Sequence, residues 1–286
     1  MNAKAQHFVP QFYLKNFAIK NSESFFINCF NKHDKKIFYT NIKNVANEIG
    51  YYNIVTDEES VITIEPILSN LESISKESLD KLISTESIAA LADKDKNTIA
   101  IFVALQMLRT PENELIIEQV RQGAINRFPE LEKNLKKLSK REKKTMLTQG
   151  IINSIQLYSN ILFDKKWVLL QNFTKYNFWT SDNPVYRYNK PTSGFYGNLG
   201  LLSSGIQIIF PITSKLLLLI LDPEVFKDIP DNYVINKENV KFFNCGQIIH
   251  SMKQIYSIDD NFRMAEKYLT EFPTYQNPLR SRIEVS

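Results

Sequence analysis

The amino-acid sequence predicts an α+β fold: a central helical block, with strand-bearing N-terminal and C-terminal thirds meeting in one sheet region. Three observations predict it. Through the middle of the chain apolar residues recur at helical spacing, as at Ile64, Ile67, Leu68, Leu71, Ile74, Leu79 and Leu82. The first and last thirds instead carry short apolar runs bounded by turn residues. No internal repeat and no long low-complexity linker separates these parts. The chain therefore reads as one domain over residues 1–286, with the helical block at about 62–163 and a strand-rich part at about 164–225.

The elements are expected as follows. In His7 to Ala18, Pro10 suits the first turn of a helix, where its missing N–H costs nothing, and Phe12, Tyr13, Leu14 and Phe17 then face a core. Phe25 to Phe30 and Lys36 to Tyr39 read as two strands of a hairpin turning at Asn31-Lys32-His33-Asp34. Ile42 to Glu48 reads as a short helix before the aromatic pair Tyr51 and Tyr52. Ile64 to Ile83 is a long helix, and Asn97 to Leu108 is so apolar that it must be a buried one. Thr110-Pro111 breaks it, because proline disfavours a helical residue before it. Helices resume over Glu112 to Phe128 and Thr145 to Phe163. Trp167 to Phe173 and Phe178 to Thr180 read as strands around a polar turn. Ile206 to Phe210 and Leu216 to Leu221 are continuous apolar runs, as in strands buried on both faces. Asn239 to Ile255 and Asn261 to Leu269 close the chain as helices.

Composition narrows the function classes. Hydrophobic residues at 43% and charged residues at 23% are ordinary for a globular chain, and 286 residues bury a core that needs no disulfide or metal staple. Cys29 and Cys245 lie in apolar runs and are expected as buried free thiols. Two isolated cysteines form no zinc motif, and with a polar N-terminal start they point to the reducing cytoplasm. The most apolar stretch, Lys215 to Leu221, falls far short of the roughly 20 residues that cross a bilayer, so no membrane partner is expected. A net charge of +4 does not by itself imply nucleic acid. Eight glycines leave little room for a phosphate-binding loop, and no Gly-x-Ser-x-Gly, His-Glu-x-x-His or Cys-x-x-Cys is present. Three histidines argue against a multi-histidine metal centre, and His33 belongs to a solvent-exposed turn.

A resemblance enters at His7-Phe-Val-Pro10-Gln-Phe-Tyr13-Leu14-Lys-Asn-Phe17. This segment resembles the opening signature of the family known as domain of unknown function 4238: His, any residue, Val, Pro, two residues, Tyr, Leu, two residues, Phe. The rest of the chain follows the family's order. Two spaced glutamates are matched by Glu65 and Glu72, a Gln-x-x-Arg pair by Gln106 and Arg109 before Thr110-Pro111, and a Thr-Ser-Asp-Asn-Pro turn by Thr180 to Pro184. A Phe-Pro segment is matched by Phe210 and Pro211, and a late Asn-x-x-Gln by Asn244 and Gln247. The resemblance covers nearly the whole chain and implies a fold but no settled activity.

The same residues carry the chemistry that the sequence offers. His7 either bonds a loop or acts as a base or metal ligand. Glu65 and Glu72 share a helix face, separated by roughly 10 Å of rise, too far to hold one ion together. A carboxylate turned inward there needs a partner, and Arg109 is the natural one; otherwise Glu72 is a solvated surface residue. Gln106 and Arg109 lie three apart on one helix face, where the arginine is a buried anchor or an anion binder. Asp182 and Asn183 either close a plain Asx turn or place a carboxylate at a strand end, where sites keep metal ligands and bases. The basic run Lys133 to Lys144 is a solvated connector or a contact for a phosphate backbone.

Two functions from different classes are consistent with this set. One is a metal-assisted hydrolase, nuclease-like or phosphodiesterase-like, with the catalytic group drawn from His7, Glu65, Glu72, Gln106, Arg109, Asp182 and Asn183. There His7, Glu65 and Asp182 would ligate Mg or Mn, hard cations suited to carboxylates, His7 and Asp182 would share one pocket, and Arg109 would balance developing charge. A defence or toxin effector is a role that fits such a chain. The other is a non-catalytic interaction module in which the polar residues form a structural network.

Overall fold

A computed structural model describes residues 5–55, 61–133, 139–190 and 198–282. Among these residues seven α-helices and several sheets make an α+β fold.

The helices are α1 (Gln11–Leu14), α2 (Glu65–Thr85), α3 (Asp93–Leu108), α4 (Pro111–Arg127), α5 (Lys140–Phe163), α6 (Lys237–His250) and α7 (Arg263–Glu271). Their ends follow local chemistry. Pro66 in the first turn opens α2, and Glu86 in the left-handed region (φ 47°) closes it. Ser139 accepts from the Glu142 amide while the Glu142 side chain returns to the Ser139 amide, so a reciprocal cap starts α5. Asn236 caps α6 by accepting from the amides of Glu238 and Asn239. The expected buried helix is α3, packed against both α2 and α5.

The strands are β1 (Ala5–His7), β2 (Ile19–Asn21), β3 (Ser24–Asn31), β4 (Ile37–Asn41), β5 (Asn47–Ile49), β6 (Asn53–Val55), β7 (Val61–Thr63), β8 (Lys166–Gln171), β9 (Thr180–Ser181), β10 (Tyr186–Tyr188), β11 (Gln207–Pro211), β12 (Leu216–Leu221), β13 (Asn232–Val234) and β14 (Gln254–Ser257). One sheet has the order β10-β11-β12-β8-β13, antiparallel except that β13 runs parallel to β8. Every residue of β12 is buried. Leu216, Leu218 and Ile220 enter the core shared with α2, α3 and α5, while Leu217, Leu219 and Leu221 enter a second core with Val240 and Phe243 of α6. The strand is thus apolar on both faces because helices cover both.

The terminal thirds meet in the other large sheet, β2-β3-β14-β9, with β4 on the remaining edge of β3. Tyr13 carries the junction further. Its ring stacks on Phe210 at 5.2 Å, and its hydroxyl bonds Thr180 Oγ1 and the Pro211 carbonyl at 2.7 Å each. Phe8, Val9, Tyr13, Leu14 and Phe17 are all buried in the main core, each large one stabilising by roughly 1.5–3 kcal/mol.

Two of the expected helices differ, and the strand expected over Phe178 to Thr180 is reduced to Thr180–Ser181. Ile42–Asn44 is a single 3₁₀ turn, and Ala46 at φ 52° redirects the chain into β5 instead of continuing a helix to Glu48. The final long helix stops at His250, and Gln254–Ser257 is a strand whose backbone groups pair with β3 and β9. Among the described residues no helix is long and apolar enough to cross a membrane.

Candidate functional site

The N-terminal motif places His7 at the end of β1, facing the first turns of α2. The backbone of Ile42 and Lys43 hydrogen-bonds its imidazole. Nε2 is buried and has no partner among the described residues. Burial pushes the His7 pKa below its ordinary value, so the ring is neutral at pH 7 and Nε2 presents a lone pair.

Across from it, Glu65, Ser69, Glu72, Ser73 and Lys76 form one stripe along α2, as a spacing of three, four and seven residues requires. With His7, Pro10, Gln11 and Phe12 they line an open cleft of about 250 Å³. Glu65 Oε2 is buried without a partner among the described residues. Burial, and then the charge of Glu72, push the Glu65 carboxyl above its usual range, while Arg109 pulls it back.

Glu72 is fixed from behind. Arg109, wholly buried at the C-terminal end of α3, donates from Nη1 to Glu72 Oε1 at 2.6 Å. The Gln106 amide oxygen accepts from Arg109 Nε and Nη2, and the Tyr52 hydroxyl also bonds the guanidinium. A pairing of Arg109 with Glu65 or Glu72 was expected, and the structure supplies Glu72. With its donors spent on protein and no exposed surface, Arg109 does not reach a substrate, which corrects its expected direct role.

Asp182 and Asn183 belong elsewhere. Asp182 accepts from the amides of Met252 (2.8 Å), Lys253 (2.6 Å) and Gln254 (3.0 Å), so its carboxylate pins the start of β14. Burial pushes its pKa up against the pull of these amides and of Lys32. Asn183 accepts from Thr110 Oγ1 at 2.9 Å and donates to Glu112 Oε2 at 2.6 Å and to the His250 carbonyl at 3.1 Å. Ser181 and Gln247 close the turn through a 2.6 Å bond. Arg282 pairs with Glu112 at 2.9 Å and donates to carbonyls at the end of α6. Buried Lys32 donates to the Ile248 carbonyl and shares the Ser251 carbonyl with Arg282, and burial pushes its pKa down to about 7.

The structure therefore gathers His7, Glu65 and Glu72 at one cleft, with Arg109 and Gln106 behind it, and does not bring Asp182 or Asn183 there. Among the described residues no group of three or more His, Cys, Asp or Glu is placed to hold a metal ion. The expected His7, Glu65 and Asp182 ligand set is not assembled, because the Asp182 oxygens are taken by three amides. Sequence reasoning missed Gln11, Ser69 and Ser73 on the cleft, although the last two follow from helical spacing to Glu65. It missed Lys32, Glu112 and Arg282 because their partners are distant in the chain. Within the basic run, residues 134–138 lie outside the described residues; Lys143 pairs with Glu118 at 3.3 Å and buried Lys144 with Glu48 at 3.2 Å.

The family model described as "Protein of unknown function (DUF4238)" matches residues 5–261. The chain belongs to this family. No curated protein and no solved structure matches it significantly. The match to DUF4238 includes the whole His7 cleft and the Asp182 turn, and it ends before α7 and the segment carrying Arg282.

Proposed function

We propose that this DUF4238 chain is a metal-assisted hydrolase of phosphate esters, with His7 and Glu65 at its working centre. One observation carries the reading. His7 Nε2 and Glu65 Oε2 are both acceptors, both buried and both without a partner among the described residues, and both residues line one cleft. Buried acceptors with no donor between them are costly unless a water or cation joins them. Mg²⁺ and Mn²⁺ are held by one or two protein groups, with waters and substrate oxygens completing the shell. A two-ligand site of that kind needs no cluster of three. His7 and Glu65 would hold an ion that polarises a phosphoryl oxygen and acidifies a bound water, and the proton would leave to solvent through the open cleft. Glu72, held by Arg109, keeps a fixed negative charge in the cleft wall.

For Asp182 and Asn183 the other reading is favoured: their side chains are saturated by Met252–Gln254, Thr110, Glu112 and His250, as in a network that fixes the fold.

Purified protein incubated with DNA, RNA and nucleotides tests the proposal. Turnover is expected only with manganese or magnesium, and His7→Ala or Glu65→Gln should lower it by about 10²-fold or more. Equal turnover by folded variants and wild type would overturn it.

A further inference from the structure

We infer that a second cleft, between the starts of α6 and α7 and the turn after β8, binds a nucleotide unit: a phosphate carried beside a heteroaromatic base. The site shares no residue with the His7 cleft, and it goes beyond the hydrolytic reading. Its volume is about 520 Å³, within the roughly 300–1,000 Å³ of small-ligand pockets.

Its charge is the first argument. Lys175 and Arg263 line it, both are exposed, and neither forms an ion pair among the described residues. Lys241 also lines it and pairs at 3.0 Å with Glu238, an exposed contact that a phosphate displaces easily. Asp259 is the one carboxylate of the lining, and it is committed to the protein. It accepts from Asn177 Nδ2 at 2.5 Å and from the Asn261 amide at 3.2 Å. The surplus is positive, and guanidinium and ammonium groups are the usual phosphate partners.

Its aromatic wall is the second. Half-buried Tyr176 lies beneath two cations, with Lys237 Nζ at 5.2 Å and Lys175 Nζ at 5.8 Å from the ring centroid. Trp179 also lines the cleft, where it is 5% exposed and packs on Phe262 at 5.3 Å. Interleaved cations and aromatic faces match a base stacked beside its phosphate.

Its rigidity is the third. Asn244 accepts from the Trp179 amide and donates to the Asn177 carbonyl, each at 2.9 Å, so α6 holds the aromatic wall in place before any ligand arrives.

The test is a binding measurement in EDTA, where hydrolysis plays no part and its failure would leave this assignment standing. A labelled single-stranded oligonucleotide is titrated by anisotropy, and ADP and pyrophosphate by calorimetry. Binding of ADP or the strand is expected, weakened about tenfold or more by Lys175→Glu with Arg263→Glu, at unchanged Tm. Tyr176→Ala should weaken it too; the double variant decides the matter if that protein misfolds. ADP bound without the strand identifies a free nucleotide, and a strand bound tighter than ADP identifies single-stranded nucleic acid. Absence of both, equal binding by the double variant, or pyrophosphate bound as tightly as ADP would overturn the inference.

Discussion

Arg109 and Glu65 are both charged groups drawn out of water, yet only one of them is satisfied. Arg109 has Glu72, Gln106 and Tyr52 around it. Its truncation to alanine leaves Glu72 and Gln106 facing an empty space. A loss of about 3 kcal/mol is expected, at the low end for buried pairs because the Glu72 side chain keeps 26% exposure. Chemical denaturation of Arg109→Ala measures it, and an unchanged midpoint would contradict it. Glu65 is the opposite case. Its carboxyl is pushed up by burial and by Glu72, so the charged form is the disfavoured one. Glu65→Gln should keep or raise Tm while it weakens the proposed binding of manganese, the trade expected of a site held ready for a ligand. The Glu72–Arg109 pair was legible in part: an inward carboxylate of Glu65 or Glu72 was expected against Arg109, and only the packing of α2 on α3 selects Glu72. The fate of Asp182 was not, since its partners are backbone amides some seventy residues later and any residue type could have supplied them.

Among the elements, legibility tracked length. The long helices and the Leu216–Leu221 strand repeat their pattern often enough to be recognised. Strands of two or three residues, such as β1, β9 and β13, are too short to show alternation, and their existence depends on a neighbour. β14 was hidden because Gln-Ile-Tyr-Ser continues the apolar spacing of α6, and only the pairing with β3 and β9 makes it extended. α6 itself contains Gly246, where an added Cβ would collide with the Tyr186 ring. That ring donates its hydroxyl to the Phe243 carbonyl at 3.0 Å. Gly246→Ala gains about 1 kcal/mol in helix propensity. The overpacking costs about 1–3 kcal/mol, and the immovable hydrogen-bonded ring puts it at the upper end. A net fall in Tm is predicted, and a rise would show that α6 and β10 are not packed as described.

Across the whole molecule, the N-terminal motif is the piece that joins the parts, through Tyr13 to Phe210, Thr180 and Pro211. Removing residues 1–18 should therefore yield insoluble protein, and a soluble truncation with a cooperative melt would refute this. The α+β arrangement was legible because each third has its own period; the division of the strands into two main sheets was not, since it depends on which long-range edges meet. The polar network at the end of α6 sets a pH dependence. The His250 ring, stacked on Tyr186 at 4.9 Å, is pushed down to about 3 by burial and then by Arg282 and Arg280. The unfolded chain binds this proton near 6.5 and the folded one near 3, so the contribution is whole above 6.5 and is lost as pH falls towards 3. Tm should drop between pH 7 and 5, and His250→Asn should flatten that drop; an equal slope in the variant would remove His250 from the explanation. The cleft at His7 bears on the central claim, and it can be addressed without knowing a substrate. Manganese titrated into the protein and followed by electron paramagnetic resonance should show one tightly held ion per chain in the wild type. That ion should be lost in Glu65→Gln and in His7→Ala, each with an unchanged far-ultraviolet circular dichroism spectrum. No bound manganese in the wild type, or the same binding in both variants, would contradict the account.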